Sequence, residues 1–260
     1  MRVAQLLHDQ NGVVARWQLL EAGHDDTFIE GMLRRREWAR IHPGVYVDHT
    51  GTPTWRQRTW AAVLHYWPAA LSHGSALGPP DPGRRIPGVD HDDYRPMIDV
   101  AVEHPRKVVP VPGVRVHRVR GLSERVAWNV GPPRVRPEHA ILDDAARCSS
   151  RVDALARITD VCRSRRTPPE RVLAALRGRV RLRHRSWLIA ALGDVLEGAL
   201  SVLEGGYLRK VERAHGLPPG QRQRKDRTEK GVVYRDVRYP GQRVVVELDG
   251  RLGHEQFHDR

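Results

Sequence analysis

The 260-residue sequence predicts a mixed α/β chain in three segments: a head (1–50), an α-rich middle (51–185) and an α/β tail (186–260). Three observations carry this expectation. The head shows three short runs of helical apolar spacing and then "WARIHPGVYV", a hairpin pattern. The middle alternates helix-like runs with two strand-like ones, "MIDVAVE" and "VRVHRV". The tail opens with a long helical pattern and closes with two β-rich stretches around Tyr239-Pro240-Gly241.

In the head, Val3, Leu6 and Leu7 share a helical face, and Asn11-Gly12 ends that segment. "VVARWQLLEAG" predicts a second helix, with Gly23 as its stop. Asp25, Asp26 or Thr27 can cap a third, "TFIEGMLRRREW", whose Phe28, Met32 and Leu33 face inward. Arg34, Arg35 and Arg36 cluster at its C-terminal end, where cations also suit the helix dipole. Three helices and a hairpin describe a winged helix-turn-helix. Its third helix would enter the major groove, and its hairpin, which bears Arg40, would lie against the DNA backbone. The other reading is a tri-helical module that serves as a protein interface. The third helix, its basic end and "RIHPGVYV" resemble the N-terminal domain of the AbiEi-type antitoxins of abortive-infection systems. That resemblance implies DNA binding and a cognate toxin as partner.

In the middle, "TWRQRTWAAVLHYW" is an amphipathic helix, with Trp55, Trp60, Val63, Leu64 and Trp67 read as core. "PAALSHGSALG" reads as a short helix. The Pro/Gly/Asp-rich stretch with His91, Asp92 and Asp93 reads as a solvated loop rather than a metal site. After the two strand candidates, Pro137 opens a helix, a second covers about 150 to 163, and "PPERVLAALRG" starts a third. This stretch also resembles the region that follows the winged helix in AbiEi-like proteins, and no catalytic constellation is visible in it. Alternate arginines in "RGRVRLRHR" (Arg177, Arg179, Arg181, Arg183, Arg185) are either a nucleic-acid stripe or a solvated linker.

The tail raises the chemical question. Val244 to Val246 and Leu248 read as a buried strand, yet Glu247 and Asp249 sit at its end and His254 follows a glycine-containing turn. Burying an unpartnered carboxylate is costly. A turn at Tyr239-Pro240-Gly241 would pair "VVYRDVRY" with "QRVVVELDG" and bring Asp236 beside Glu247 and Asp249. Clustered carboxylates repel unless a cation sits among them. Mg²⁺, or Mn²⁺ in its place, takes such hard oxygens, and a metal so placed can polarise a phosphate and activate water. Upstream, Glu197 and Glu204 lie two helical turns apart on one face.

The helix with Glu204, then Asp236, then Glu247-x-Asp249, resembles the PD-(D/E)XK nuclease superfamily. More closely, "YRDVRYPGQRVVVELDGRLGH" resembles a domain of unknown function related to the very-short-patch-repair endonucleases. The resemblance implies metal ligation by Asp236, Glu247 and Asp249, a helix-borne carboxylate at Glu204, and a restriction-endonuclease-like fold. Asp249 stands where the superfamily motif has lysine. His254 can replace that lysine as acid or base, and Lys225 or Lys230 can reach in. The sequence stops eleven residues after Asp249, whereas the fold it resembles continues with a helix and a further strand. The tail is therefore expected to be incomplete, with Val244 and Val246 short of cover and an edge left open.

The totals are compatible with this division. Net charge is +13, which favours polyanionic partners. Two cysteines, Cys148 and Cys162, make no disulfide framework and suggest a reducing cytoplasm. No apolar run reaches the ~18–20 residues of a membrane span. Three function classes remain: a metal-dependent DNA endonuclease, a DNA-binding regulator on an inactive nuclease fold, and an interaction module of a toxin–antitoxin pair.

Overall fold

In the computed structural model, the described residues are 2–79, 96–196, 207–228, 231–246 and 248. The chain is mixed α/β and divides into two compact units, Met1–Asp144 and Ala145–Arg260. The first fifty residues thus belong to one unit with residues 51–144, and "RGRVRLRHR" falls inside the second unit rather than between two.

The first unit begins with α1 (Val3–Asp9), β1 (Val13–Ala15), α2 (Arg16–Glu21), α3 (Asp26–Arg34), β2 (Ala39–His42) and β3 (Val45–Val47). Asp25 caps α3, its Oδ1 accepting from Phe28 N at 2.9 Å. The second predicted helix starts three residues late, because Val13–Ala15 are a strand. Val13 and Val14 are β-branched, and Gly12 turns into them with φ 83°. β1 pairs antiparallel with β3, Val13 opposite Val47 and Ala15 opposite Val45, in the order β1-β3-β2. Buried Gln10 and Gln18 exchange side-chain hydrogen bonds, and Gln18 Oε1 accepts from Ala15 N at 3.0 Å. They fix the junction of β1 and α2.

This sheet is covered on both faces. Val14 and Tyr46 join Leu6, Leu19, Ile29 and Trp38 in the core of the three helices. Val13, Ala15, Val45 and Val47, one residue out of phase, meet Trp60, Ala61 and Leu64 of α4 (Trp55–His65). The other side of α4, with Ala62, Val63 and the following Tyr66, enters a second core. The helix expected to be amphipathic is instead buried nearly all round, as suits an element between two layers. Each fully buried Val or Leu there contributes about 1.5–3 kcal/mol.

The second core lies under a mixed sheet. Its strands are β4 (Ala70–Leu71), β5 (Ile98–Glu103), β6 (Val114–Val119), β7 (Val126–Ala127) and β8 (Arg134–Val135), in the order β6-β5-β4-β8-β7. The stretch expected as one short helix is β4 followed by α5 (His73–Leu77). β5 and β6 run parallel, with Asp99 opposite Arg115 and Ala101 opposite His117. Their connection is tied to the C-terminal end of α4. Tyr66 Oη donates to Val109 O at 2.9 Å, and the Arg106 guanidinium donates to the Tyr66, Trp67 and Pro68 carbonyls. Helix α6 (Pro137–Ala145) ends the unit.

The second unit contains α7 (Arg151–Arg163), α8 (Pro169–Arg177) and α9 (Arg185–Leu196), then a π-helical turn at Leu208–Arg213. An antiparallel sheet of β9 (Gln221–Thr228), β10 (Gly231–Tyr239) and β11 (Val244–Val246) comes next, ordered β11-β10-β9. The expected hairpin across Tyr239-Pro240-Gly241 is present, with Val237 opposite Val246 and Tyr239 opposite Val244. Its second strand is exposed, with Val244 at 46% and Val245 at 41%, which departs from the buried strand that the sequence predicts and agrees with the short cover expected at Val244. Strand β9 carries no apolar residue and takes its form from pairing with β10.

Among the described residues no helix is long and apolar enough to cross a membrane.

Candidate functional site

The sequence-predicted residues fall into two groups. Arg34, Arg35, Arg36 and Arg40 are all exposed, at the end of α3 and on β2. Arg35 is engaged by Glu37 and by Met32 Sδ, and Arg40 lies 6.0 Å from the Tyr46 ring centre. The rest of α3's exposed face is not basic. It presents Asp26 and Glu30, and Asp26 pairs with Arg16 at 2.6 Å, a contact that holds its carboxyl below the usual range. Residues 1–50 contain six Lys and Arg against seven Asp and Glu, a net of −1.

The charge sits elsewhere. The second unit has 25 Lys and Arg against 14 Asp and Glu, a net of +11, whereas the first has 19 against 17. Arg163, Arg165, Arg166, Arg171, Arg177, Arg181 and Arg183 are exposed around α7, α8 and the turn into α9. Arg185 instead donates to the carbonyls of Arg177 and Arg179, closing the end of α8.

Of the predicted metal and catalytic set, Asp236 lies in β10, next in sequence to the paired Val237. Glu204, Glu247, Asp249 and His254 lie outside the described residues, as do Glu197, Lys230 and the His91–Asp93 loop. Lys225 is in β9, opposite Tyr234. Near this hairpin is a buried carboxylate that the sequence did not single out. Glu212 is 4% exposed, and its Oε2 accepts from Tyr239 Oη at 2.8 Å and from Gly220 N at 3.1 Å. Burial pushes the Tyr239 hydroxyl far above its usual range, and Tyr207 and Glu212 add to the shift. A phenol held protonated in this way is a steady donor to the carboxylate.

A different polar group stands out in the first unit. His73 opens α5, Asp99 is the second residue of β5, and His117 lies on β6. His73 and Asp99 are each 7% exposed. His117 Nε2 and Asp99 Oδ1 are 2.8 Å apart, and the His73 and His117 rings stack with centroids at 3.8 Å. The potential ligand atoms of the three lie within 4.8 Å of one another. Parallel pairing explains the convergence: Asp99 sits opposite Arg115, so His117, two residues on, projects from the same face. Ser72 N donates to Asp99 O at 2.9 Å and Asp99 N donates to Ser75 Oγ at 2.9 Å, which docks α5 on β5. Arg115 Nη1 approaches Asp99 Oδ1 at 3.6 Å. Sequence reasoning missed this group because its members are spread over three elements. Its signal was a charged residue inside the apolar run "IDVAV".

No known protein family matches the chain, and no curated protein matches it. Among solved structures, the chain is similar to the crystal structure of the RV2827C protein from Mycobacterium tuberculosis. The similarity covers 74% of each chain at 23% identity, with a TM-score of 0.40.

Proposed function

We propose that the chain is a DNA-binding protein whose residues 3–47 act as a winged helix-turn-helix and whose second unit is an endonuclease-like domain. The carrying observation is the order α1-β1-α2-α3-β2-β3 with β1 and β2 on either side of β3, the arrangement a winged helix requires. Its capped third helix ends in exposed arginines and runs straight into the hairpin. Because Asp26 and Glu30 would repel phosphate, contact falls to Arg34, Arg36 and Arg40, with Arg35 partly withheld by Glu37. The +11 of the second unit supports a polyanionic partner.

Cleavage is the finer part of the proposal. Asp236, Glu247 and Asp249 would hold Mg²⁺ or Mn²⁺, with Glu204 and His254 assisting. The β10–β11 hairpin supports this reading, since Asp236 and Glu247 are the neighbours in sequence of the paired Val237 and Val246. The second reading is an AbiEi-like repressor or antitoxin whose nuclease fold does not cut and whose head meets a cognate toxin. The head's charge of −1 favours it, because weak attraction to phosphate suits a protein-facing surface.

Fluorescence anisotropy with duplex DNA between 50 and 200 mM salt tests DNA binding. Changing Arg34, Arg36 and Arg40 to Gln removes three phosphate contacts. The log–log salt slope should then fall by about 2.7. An unchanged slope would assign DNA contact elsewhere or deny it. Plasmid cleavage with Mg²⁺, Mn²⁺ and EDTA separates the enzyme from the repressor.

A further inference from the structure

We infer that His73, Asp99 and His117 form a binding site for one first-row divalent metal ion of the zinc or ferrous class. The inference is independent of the DNA reading, since it concerns the first unit's β4–β5–β6 region and not the head or the tail carboxylates.

The donor set comes first. Two borderline imidazoles beside one hard carboxylate favour zinc or ferrous iron over magnesium, which prefers oxygen alone. Such a set fills three positions and leaves others for water or substrate. Geometry adds to this. Ligand bonds to zinc run about 2.0–2.2 Å, so donor atoms around a tetrahedral ion stand about 3.3–3.6 Å apart. His117 Nε2 and Asp99 Oδ1 stand closer, at a hydrogen-bonding 2.8 Å, and all three potential ligand atoms lie within 4.8 Å. The His73 ring must turn out of its stack on His117 to place a nitrogen lone pair on the same ion.

The surroundings are those of a supported site. Ser72 Oγ lies 3.1 Å from His73 Nδ1, an outer contact that steadies the ring. Asp99 is held at its backbone from both directions, by Ser72 and Ser75. Two of the three ligands are more than nine-tenths buried, in a sheet otherwise lined by Ile98, Val100, Ala101 and Val102. The buried Asp99 carboxylate is paired by His117 and Arg115. His73 has φ 49°, in the left-handed region that histidine enters more readily than most residues with a Cβ. Arg115 is the opposing element. Its guanidinium stands 3.6 Å from Asp99 Oδ1 with 44% of its side chain exposed. It competes with an ion for that oxygen, and removing it should strengthen metal binding.

The experiment is metal binding by the full chain, stripped with chelator and titrated with Zn²⁺ by calorimetry, with Co²⁺ as a spectroscopic stand-in. The unmodified protein should bind one Zn²⁺ that the His117→Gln variant does not, and show visible d–d bands with Co²⁺. Asp99→Asn and His117→Gln should each weaken binding at least tenfold and remove those bands, while Arg115→Gln should tighten binding severalfold. Circular dichroism establishes that each variant is folded. Arg115→Gln, at a half-exposed position, serves if the buried variants do not fold, and weaker binding by it overturns the assignment. Zinc affinity and cobalt bands unchanged in His117→Gln also overturn it, as does the absence of stoichiometric binding by the unmodified chain.

Discussion

His42 makes the stability of the first unit depend on pH. It ends β2 at the hairpin turn, against His65 of α4, with ring centres 5.6 Å apart. Burial lowers its pKa from 6.5 to about 4, and the charges of His65 and Arg58 push in the same direction. A histidine with a depressed folded pKa is neutral in the native state at a pH where the unfolded chain is already protonated. Its contribution is fully present above pH 6.5 and is lost as the pH falls toward 4. Between pH 7.5 and 5 the full shift corresponds to about 2 kcal/mol. The ring is only partly buried, and solvent screening reduces this to about 1 kcal/mol. Six of the seven tryptophans (Trp17, Trp38, Trp55, Trp60, Trp67 and Trp128) lie in the first unit, so urea denaturation followed by tryptophan fluorescence reports mainly on it. The chain has 14 histidines, so the measurement is the difference between the unmodified protein and His42→Gln at each pH. That difference should close by about 1 kcal/mol from pH 7.5 to 5, because the variant has nothing to protonate there. Parallel curves at all pH values would refute the reasoning and assign acid sensitivity to other groups.

Three further outcomes are expected in the second unit. Gly220→Ala would drive a methyl into Val237 Cγ1 and to 3.0 Å from Glu212 Oε2, costing about 1–3 kcal/mol, read as faster amide exchange in β10 peptides. Unchanged exchange would mean that the strand yields freely. Tyr239→Phe takes from buried Glu212 a donor at 2.8 Å and should cost about 1–3 kcal/mol in thermal unfolding. An unaltered melt would show that water replaces the phenol. If the tail cuts DNA, Asp236→Asn should lower metal-dependent cleavage by orders of magnitude while the far-ultraviolet circular dichroism stays the same. Equal cutting by the variant would remove Asp236 from the site.

Elements were legible in the sequence where their physical signals are local. The Asp25 cap, the Gly23 stop and the Pro43-Gly44 turn act within a few residues, and α3 and the β2–β3 hairpin stand where those signals put them. β1 was hidden because Val13-Val14 run directly into the helix-forming "ARWQLLE". β4, β7 and β8 are two residues each, too short to show a period. β9, "QRQRKDRT", has no apolar alternation to read. The His73–Asp99–His117 group was illegible for a related reason. Its members are 26 and 18 residues apart, and only the parallel register of β5 and β6, with α5 docked beside them, brings them together.

The distribution of charge separates two roles that the net +13 leaves merged. In the proposed function, shape and charge come from different units. The head has the arrangement that positions a helix and a hairpin on a duplex, yet its net charge is −1, so it has little long-range pull on a polyanion. The second unit carries +11, with exposed arginines spread over α7, α8 and the turn into α9. Counterion release scales with the number of phosphates neutralised, whichever part of the chain neutralises them. Most of the salt dependence should therefore belong to the second unit, while the few head arginines set register and orientation. Removing the three head arginines should then lower the salt slope by about 2.7, and removing the more numerous α7–α8 arginines should lower it further. A slope untouched by the head changes would favour the protein-facing reading of residues 3–47.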